Sequence, residues 1–154
     1  MKHYSLNSIL SVLISGILVA AISGCSCDTG RPATSFPIEV GERPESITKG
    51  FGGNYFVTVM NGREDGDGVI KVIQGDVVSV FASGLSEPKG IAFVADLLIA
   101  SDINRVVKID SDGIVSVLAG PDDFPHNPNY LNHVSADADG EGVYVTDMGA
   151  NTKM

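Results

Sequence analysis

The chain has 154 residues, of which 44% are hydrophobic and 19% are charged, so its composition excludes a disordered or fibrous protein and allows one modest globular domain. Nineteen acidic residues against ten Lys and Arg give a formal net charge of −9, which argues against a nucleic-acid partner. Val and Ile outnumber Ala and Leu after residue 40, and 18 glycines and 7 prolines supply turns. The composition therefore favours strands.

Residues 1–24 have the layout of a signal peptide. Lys2 provides a basic start, an apolar run follows over residues 9–22, and small residues end the segment. No formal charge follows Lys2 before the two cysteines, so an uncleaved membrane anchor is the alternative, ahead of an ordinary secreted protein.

The segment ends in Ile22-Ser23-Gly24-Cys25, which resembles a bacterial lipobox. In a lipobox a diacylglycerol is attached to the cysteine thiol and the chain is cut just before that residue. Acyl chains stabilise the membrane-bound state by about 0.8 kcal/mol per buried CH₂, so they can anchor a protein without a transmembrane helix. We therefore expect lipidated Cys25 to be the mature N-terminus of an exported protein, held on the periplasmic or extracellular face of the bacterial cell envelope.

Residues 25–43 mix Gly, Pro, Ser and Thr with little periodicity. This composition predicts a tether between the membrane and the folded part of the chain. Residues 38–40 are the one place in it where a short strand could form.

An internal repeat of about forty residues begins at Pro44. The copies span residues 44–87 and 88–130, and an incomplete third copy spans 131–154. One apolar position recurs at spacings of 44 and 43 residues, at Ile47, Ile91 and Val134. Later in the first two copies, Lys71 aligns with Lys108 and Val80 with Val117, both at a spacing of 37, which indicates a shorter loop in the second copy.

Each copy reads as a series of short apolar runs separated by turn residues, with no convincing helical period. The predicted strands of the first copy are 45–47, 55–59, 69–73 and 77–82. Those of the second copy are 90–94, 97–101, 105–109 and 114–119, with a Gly-containing turn at 110–113. Four antiparallel strands per forty-odd residues is the unit of a β-propeller blade, and blades must stack around an axis to bury both faces of their sheets. The predicted fold is therefore all-β, with a β-propeller of four-stranded antiparallel blades.

The second copy carries a family resemblance. PKGIAF at 88–93, a hydrophobic strand ending in Ser101-Asp102, and NRVVKID at 104–110 resemble the six-bladed propellers of the SMP-30/gluconolactonase and NHL-repeat superfamily. SDINRVVKID is similar to the NHL motif in which an Asp and an Asn-Arg precede the third strand. PESI and LNHV, at the heads of the first and third copies, lie where SMP-30-like and strictosidine-synthase-like members start their innermost strands. The resemblance covers residues 44–149.

The resemblance implies six blades, of which about two and a half are present. Six blades of this period would need about 260 residues. We therefore expect a truncated record or a gene remnant, and the alternative is a short protein that completes its ring by oligomerisation.

The candidate site lies at the starts of the predicted innermost strands, which hold Glu45, Lys89 and Asn132. In SMP-30-like enzymes a Glu from an early blade and Asn or Asp residues from later blades bind a divalent metal, commonly calcium, which polarises a lactone carbonyl. The resemblance maps these metal ligands onto Glu45 and Asn132, and His133 stands where the family often has Asp. The general base of the enzymes would lie beyond Met154.

Each of these residues also has a structural interpretation. Glu45 can be a solvated acid, Asn132 a turn residue, and Lys89 either a channel cation that orients an anionic ligand or an ordinary strand-end lysine. Two functions stay open for the whole protein. One is a metal-dependent lactone or ester hydrolase, and the other is a non-catalytic propeller that binds a sugar, peptide or protein at the cell surface. A nonfunctional remnant is the third possibility.

Overall fold

The computed structural model describes residues 37–149, so Cys25, the signal segment and most of the predicted tether lie outside the described residues. Within residues 37–149 there are ten β-strands and two single-turn 3₁₀ helices, and every sheet is antiparallel. The all-β prediction is confirmed. Neither short helix in this part of the chain has the length and apolar character needed to cross a bilayer.

The first two sheets have four strands each, and in both the strands follow one another in chain order. The strands of the first sheet are β1 (Pro44–Lys49), β2 (Tyr55–Val59), β3 (Gly68–Gln74) and β4 (Val77–Leu85). Those of the second sheet are β5 (Pro88–Val94), β6 (Leu97–Asp102), β7 (Arg105–Ile109) and β8 (Val115–Ala119). The third sheet contains β9 (Leu131–Ala136) and β10 (Val143–Asp147). The 3₁₀ helices span Phe51–Gly53 and Pro121–Asp123.

All eight predicted strands of the first two copies are present, with β1 and β4 extending three residues further than predicted. The turn at 110–113 also forms, and Gly113 takes the positive φ of 80° that the turn requires. Residues 38–40 form no strand, so that suggestion was wrong.

The strand register corrects one detail of the repeat alignment. Val57 pairs with Lys71, whereas Ala100, which holds the position of Val57 in the second sheet, pairs with Val107. Lys71 therefore corresponds to Val107, and its alignment with Lys108 was wrong by one residue. A shift of one residue places a side chain on the opposite face of a sheet, so matching the two lysines confused the two faces.

A large core fills the space between the first and second sheets. Phe56, Ile70 and Leu85 from the first sheet are almost completely buried there, together with Leu98 and Val107 from the second. Burying a side chain of this size contributes about 1.5 to 3 kcal/mol. Phe51, Phe56, Phe81 and Phe93 form an aromatic cluster at one side of this core, with edge-to-face contacts at centroid distances of 4.8 and 4.9 Å among them.

A second core lies between the second and third sheets. Its buried members from the second sheet are Ala92, Ile99 and Val106, and the third sheet contributes Leu131 and Val134. The second sheet is thus covered on both faces. The first strands of the three sheets, β1, β5 and β9, lie side by side, whereas the outer strands β4 and β8 touch only slightly. The sheets therefore spread outward from a line through their first strands.

Equivalent positions differ sharply in exposure at the two ends of this stack. Ile91 and Val134 are 4% and 2% exposed because each packs toward the preceding sheet, but Ile47 at the same repeat position is 58% exposed. Phe56, Ile99 and Tyr144 hold another repeat position, whose side chain points toward the following sheet. Phe56 and Ile99 are 1% and 3% exposed, whereas Tyr144 is 67% exposed. Among residues 37–149, one face of the first sheet and one face of the third have no neighbouring sheet.

Candidate functional site

Glu45, Lys89 and Asn132 are the second residues of β1, β5 and β9. The fold therefore brings them to the same end of three adjacent strands. Their environments differ: Glu45 is exposed, Lys89 is only 7% exposed, and Asn132 is half-buried. The side-chain amide of Asn132 donates a hydrogen bond to Met148 Sδ at 2.8 Å.

In the first and second sheets, a hydroxyl on the second strand fixes the first strand of the following sheet. Thr58 Oγ1 donates to the backbone carbonyl of Lys89 at 2.6 Å. Ser101 holds the same position in the second sheet and donates to the carbonyl of Asn132. We call these two contacts the hydroxyl bridges. They tie the backbone at Lys89 and at Asn132 to the sheet before it.

The same hydroxyls also accept hydrogen bonds within their own sheets. Thr58 Oγ1 accepts the backbone N–H of Ser46 and Ser101 Oγ accepts that of Gly90, both at 3.0 Å. In the third sheet Thr146 Oγ1 accepts the N–H of His133 at the same distance. Each of these N–H groups belongs to the third residue of a first strand, so the arrangement repeats in all three sheets.

Two aspartates hold the segments that lead into β5 and β9. Asp102 is 1% exposed, accepts the backbone N–H groups of Ser86 and Glu87 at 2.9 and 2.8 Å, and pairs with Arg105 at 2.7 Å. The Asp and Arg of the motif SDINRVVKID therefore contact each other. In the first sheet this position is Val59, which pairs with Pro44 as Asp102 pairs with Pro88.

Asp147 is the counterpart of Asp102 in the third sheet. Its carboxylate accepts the backbone N–H groups of Asn129, Tyr130 and Gly149 at 2.9 to 3.1 Å. These hydrogen bonds, that of Gly149 first, lower the pKa of Asp147 below its usual value. The aspartates thereby position Glu87 and Tyr130, the residues immediately before β5 and β9.

Arg43, Glu87 and Tyr130 each precede a first strand, and their side chains form a chain across the three sheets. Arg43 Nη2 lies 3.3 Å from Glu87 Oε1, and the Tyr130 hydroxyl donates to Glu87 Oε2. The Tyr130 hydrogen bond, and then the Arg43 guanidinium, lower the pKa of Glu87. Burial of the phenol and its hydrogen bond to Glu87 raise the pKa of Tyr130 from 10.0 to about 12.

Lys89 lies beneath this chain. Its ammonium is 4.7 Å from the centroid of the Tyr130 ring and 3.5 Å from Met60 Sδ, and Arg43 Nη2 is 3.6 Å from the same sulfur. A thioether is a weak acceptor, and within residues 37–149 the Lys89 ammonium has no hydrogen bond to an oxygen. We call Arg43, Met60, Glu87, Lys89 and Tyr130 the inner-end cluster.

The backbone is strained at the inner-end cluster. Arg43 and Asn61 both have positive φ, 56° and 53°, in the region that favours glycine. The carbonyl of Arg43 accepts the N–H of Met60 at 3.2 Å, which holds this conformation. Strain of this kind costs on the order of 1 to 3 kcal/mol and is concentrated at functional sites.

The described residues do not by themselves fit a metal site. No group of three or more His, Cys, Asp or Glu side chains within residues 37–149 is placed to hold an ion. Lys89, a cation, stands on the strand between those of Glu45 and Asn132. The metal interpretation of Glu45 and Asn132 stays a prediction, and it would need ligands beyond the described residues.

Sequence reasoning missed Arg43, Glu87 and Tyr130. The signal was present, because these three residues have the repeat spacing of 44 and 43 residues and immediately precede the strands that were predicted to start the copies. Aligning the position before each copy would have found them.

Comparisons of the chain with protein-family models, curated proteins and solved structures find no match.

Proposed function

We propose that the three sheets are successive blades of a β-propeller, and that the protein binds a small anionic ligand at the inner-end cluster. The observation that carries the first part is the repetition of one packing step: the same strand order, the same side-by-side first strands and the same hydroxyl bridge. Sheets that spread from a line through their first strands are the arrangement expected around a propeller axis. The resemblance to the SMP-30/gluconolactonase and NHL-repeat superfamily supports this fold.

The ligand class follows from the charges of the cluster. Lys89 is a buried cation without an oxygen acceptor among the described residues, and the guanidinium of Arg43 lies partly exposed above it. Burying an ammonium is unfavourable unless other groups compensate its charge. The Glu87 carboxylate supplies part of that compensation, because the charge of Lys89 is one of the causes that lower the pKa of Glu87, but this one carboxylate faces two cations, Arg43 and Lys89. A carboxylate on the ligand would supply the rest, and it would meet the accessible groups of Arg43 and Tyr130. The proposed activity is therefore non-catalytic binding of a carboxylate-bearing small molecule, such as a sugar acid.

Thermal unfolding of the full chain in the presence of D-gluconate tests this function. We expect gluconate to raise the melting temperature and neutral D-glucose to leave it unchanged. Lys89→Met should abolish the rise, whereas Lys49→Met, at the far end of β1, should keep it. Equal shifts with both sugars, a shift that survives in Lys89→Met, or no shift with gluconate would contradict the proposal.

A metal-dependent lactone or ester hydrolase is the second candidate. It is favoured by the equivalent positions of Glu45 and Asn132 on β1 and β9. Calcium titration followed by thermal unfolding distinguishes the two candidates. A hydrolase site predicts a calcium-dependent stabilisation that Glu45→Gln removes and Glu39→Gln keeps. A binding site for anions alone predicts no such stabilisation.

We also propose that the protein is exported and anchored through lipidated Cys25. The support is the apolar run followed by Ile-Ser-Gly-Cys. Mass spectrometry of membrane-extracted protein should show a chain that begins at Cys25 and carries added acyl mass. A Cys25→Ala variant should lack that mass, and an unmodified chain that begins at Met1 would contradict the proposal.

A further inference from the structure

We propose that the ligand of the inner-end cluster is a 2-oxo acid, and that the Lys89 amine joins its keto carbon in a reversible imine. The inference rests on the proposed function for the contact between the ligand carboxylate and Arg43, and it adds a covalent bond to that contact. Its basis is a buried primary amine that contacts a sulfur atom and an aromatic ring and lies beside a guanidinium.

The surroundings of Lys89 are those of a reactive amine. Lys89 is 7% exposed, and within residues 37–149 its Nζ makes neither an ion pair nor a hydrogen bond to oxygen. Met60 Sδ, 3.5 Å away, is a weak acceptor, and the Tyr130 ring contacts the amine through its face. No strong hydrogen bond therefore has to break when the nitrogen attacks a carbonyl carbon. Burial away from water and a neighbouring cation are the two settings in which lysine acts as a nucleophile.

Arg43 selects the class of carbonyl compound. Its Nη2 lies 3.6 Å from the sulfur atom that the Lys89 amine contacts, so the guanidinium and the amine are close neighbours. The guanidinium bonds to Glu87 and to the backbone carbonyl of Gly62, but it has five N–H donors and its side chain is 34% exposed. In a 2-oxo acid the keto carbon is bonded directly to the carboxylate carbon. A carboxylate held by Arg43 would therefore bring the keto carbon toward Lys89.

The reaction is a condensation that consumes no oxidant or reductant. The Lys89 nitrogen forms a bond to the keto carbon, and the keto oxygen leaves as water with two hydrogens from the ammonium. The product is a protonated imine, so the positive charge of the side chain is retained, and water reverses the reaction. The Glu87 carboxylate, which accepts the hydroxyl of the ring that covers Lys89, is a base that can carry the proton from nitrogen to oxygen.

Reductive trapping of the full-length chain with pyruvate tests the inference. Pyruvate is a small 2-oxo acid, and sodium cyanoborohydride reduces its imine to a secondary amine, which leaves a carboxyethyl group on the lysine. Peptide mass spectrometry identifies the labelled lysine. We expect Lys89 to be labelled at least about tenfold faster than the exposed Lys49, because the carboxylate contact holds the keto carbon near the amine. Lys89→Met should remove the fast label, and Lys49→Met should keep it.

Arg43→Gln tests the carboxylate contact separately from the reactivity of the amine. It should slow the labelling of Lys89 by pyruvate far more than labelling by propionaldehyde, which has the same number of carbon atoms and no carboxylate. Arg63→Gln, at an exposed arginine, is the control that should change neither rate. Circular dichroism checks that the variants remain folded.

The outcomes separate this inference from the proposed function. Labelling of Lys89 no faster than that of Lys49, or equal slowing of both compounds in Arg43→Gln, would overturn the imine. If gluconate still raises the melting temperature through Lys89 in that case, anion binding stands and only the covalent step is wrong. If gluconate has no effect either, both proposals are wrong.

Discussion

Lys89 combines two features that rarely occur together, a nearly complete burial and a hydrogen bond to sulfur instead of oxygen. The face of the Tyr130 ring offsets part of the cost, because a cation above an aromatic ring gains about 0.5 to 2 kcal/mol. Tyr130 therefore has two roles, with its ring over Lys89 and its hydroxyl on Glu87.

The raised pKa of Tyr130 can be measured directly. The folded state favours the protonated phenol, so its stabilising effect is present below pH 10.0 and is lost as the pH rises toward about 12. In an alkaline titration followed by tyrosinate absorbance, subtracting the Tyr130→Phe curve from that of the wild type should leave one transition near pH 12. A difference curve with its midpoint at pH 10.0 would show that the phenol is not held by Glu87.

The contribution of Glu87 to the stability of the fold depends on pH in the opposite direction. Its pKa is lowered below 4.5, so its contribution to stability is present above that pH and is lost as the pH falls through the lower folded-state value. Tyr130→Phe removes the largest cause of this shift. The variant should therefore lose less stability on acidification than the wild type, measured as the urea midpoint at several acidic pH values. Parallel midpoint curves for the two proteins would contradict this.

Repeat spacing was enough to predict where Glu45, Lys89 and Asn132 lie along their strands. It did not predict that Lys89 would be buried under Tyr130, because that contact depends on how far one sheet turns relative to the next. A residue's place in a strand is a local property, whereas its neighbours across sheets are set by packing.

At the scale of the elements, β5 and β9 approach each other closely at Gly90 of β5. A Cβ atom at this position would lie 2.3 Å from the backbone nitrogen of Val134 and 2.5 Å from the carbonyl oxygen of Asn132. Glycine is therefore needed here to let β9 pack directly against β5.

Gly90→Ala should destabilise the protein. Moving β9 away would disturb the second core and cost about 1 to 3 kcal/mol, the usual range for overpacking. Urea unfolding measures the change, and Gly142→Ala is the control because no atom lies within 4 Å of its added methyl group. Equal stabilities of the two variants would show that β5 and β9 are further apart than described.

The hydroxyl bridge can be tested at Ser101. Ser101→Ala leaves the N–H of Gly90 and the carbonyl of Asn132 without their partner in a buried place, which costs about 1 to 3 kcal/mol. Ser116→Ala, on the exposed side of β8, should change the unfolding free energy by far less. A small effect at Ser101 would mean that the bridge does not join the sheets.

Strand existence was predictable because alternating apolar runs and turn residues are local signals. The correspondence between residues of β3 and β7 was not predictable from the sequence, because the loop before β3 is longer than its counterpart in the second copy. With loops of different length, Lys71 and Lys108 align although they are shifted by one position. The hydroxyls of Thr58 and Ser101 were also missed, since Ser and Thr in a strand give no sign of a partner in another sheet.

For the whole molecule, the second sheet should be the most stable part because it is covered on both sides. Amide hydrogen exchange tests this. Exchange should be slowest in β6, where Leu98 and Ala100 are 0% exposed, and much faster in β10, whose outer face has no neighbouring sheet among residues 37–149. Comparable rates in β6 and β10 would contradict the stacked arrangement.

The hydroxyl bridges separate two tasks that fall on the same residues. At Lys89 and Asn132 the backbone carbonyl joins the neighbouring sheet, and the side chain takes no part in that contact. The side chains at these two positions, Lys and Asn, accordingly differ in charge and size while the backbone contact is kept. Single substitutions at these positions would therefore change the side chains at this end of the strands one sheet at a time, with no loss of the joint between sheets. The joint between the sheets is thus independent of the side chains that this end of the strands presents.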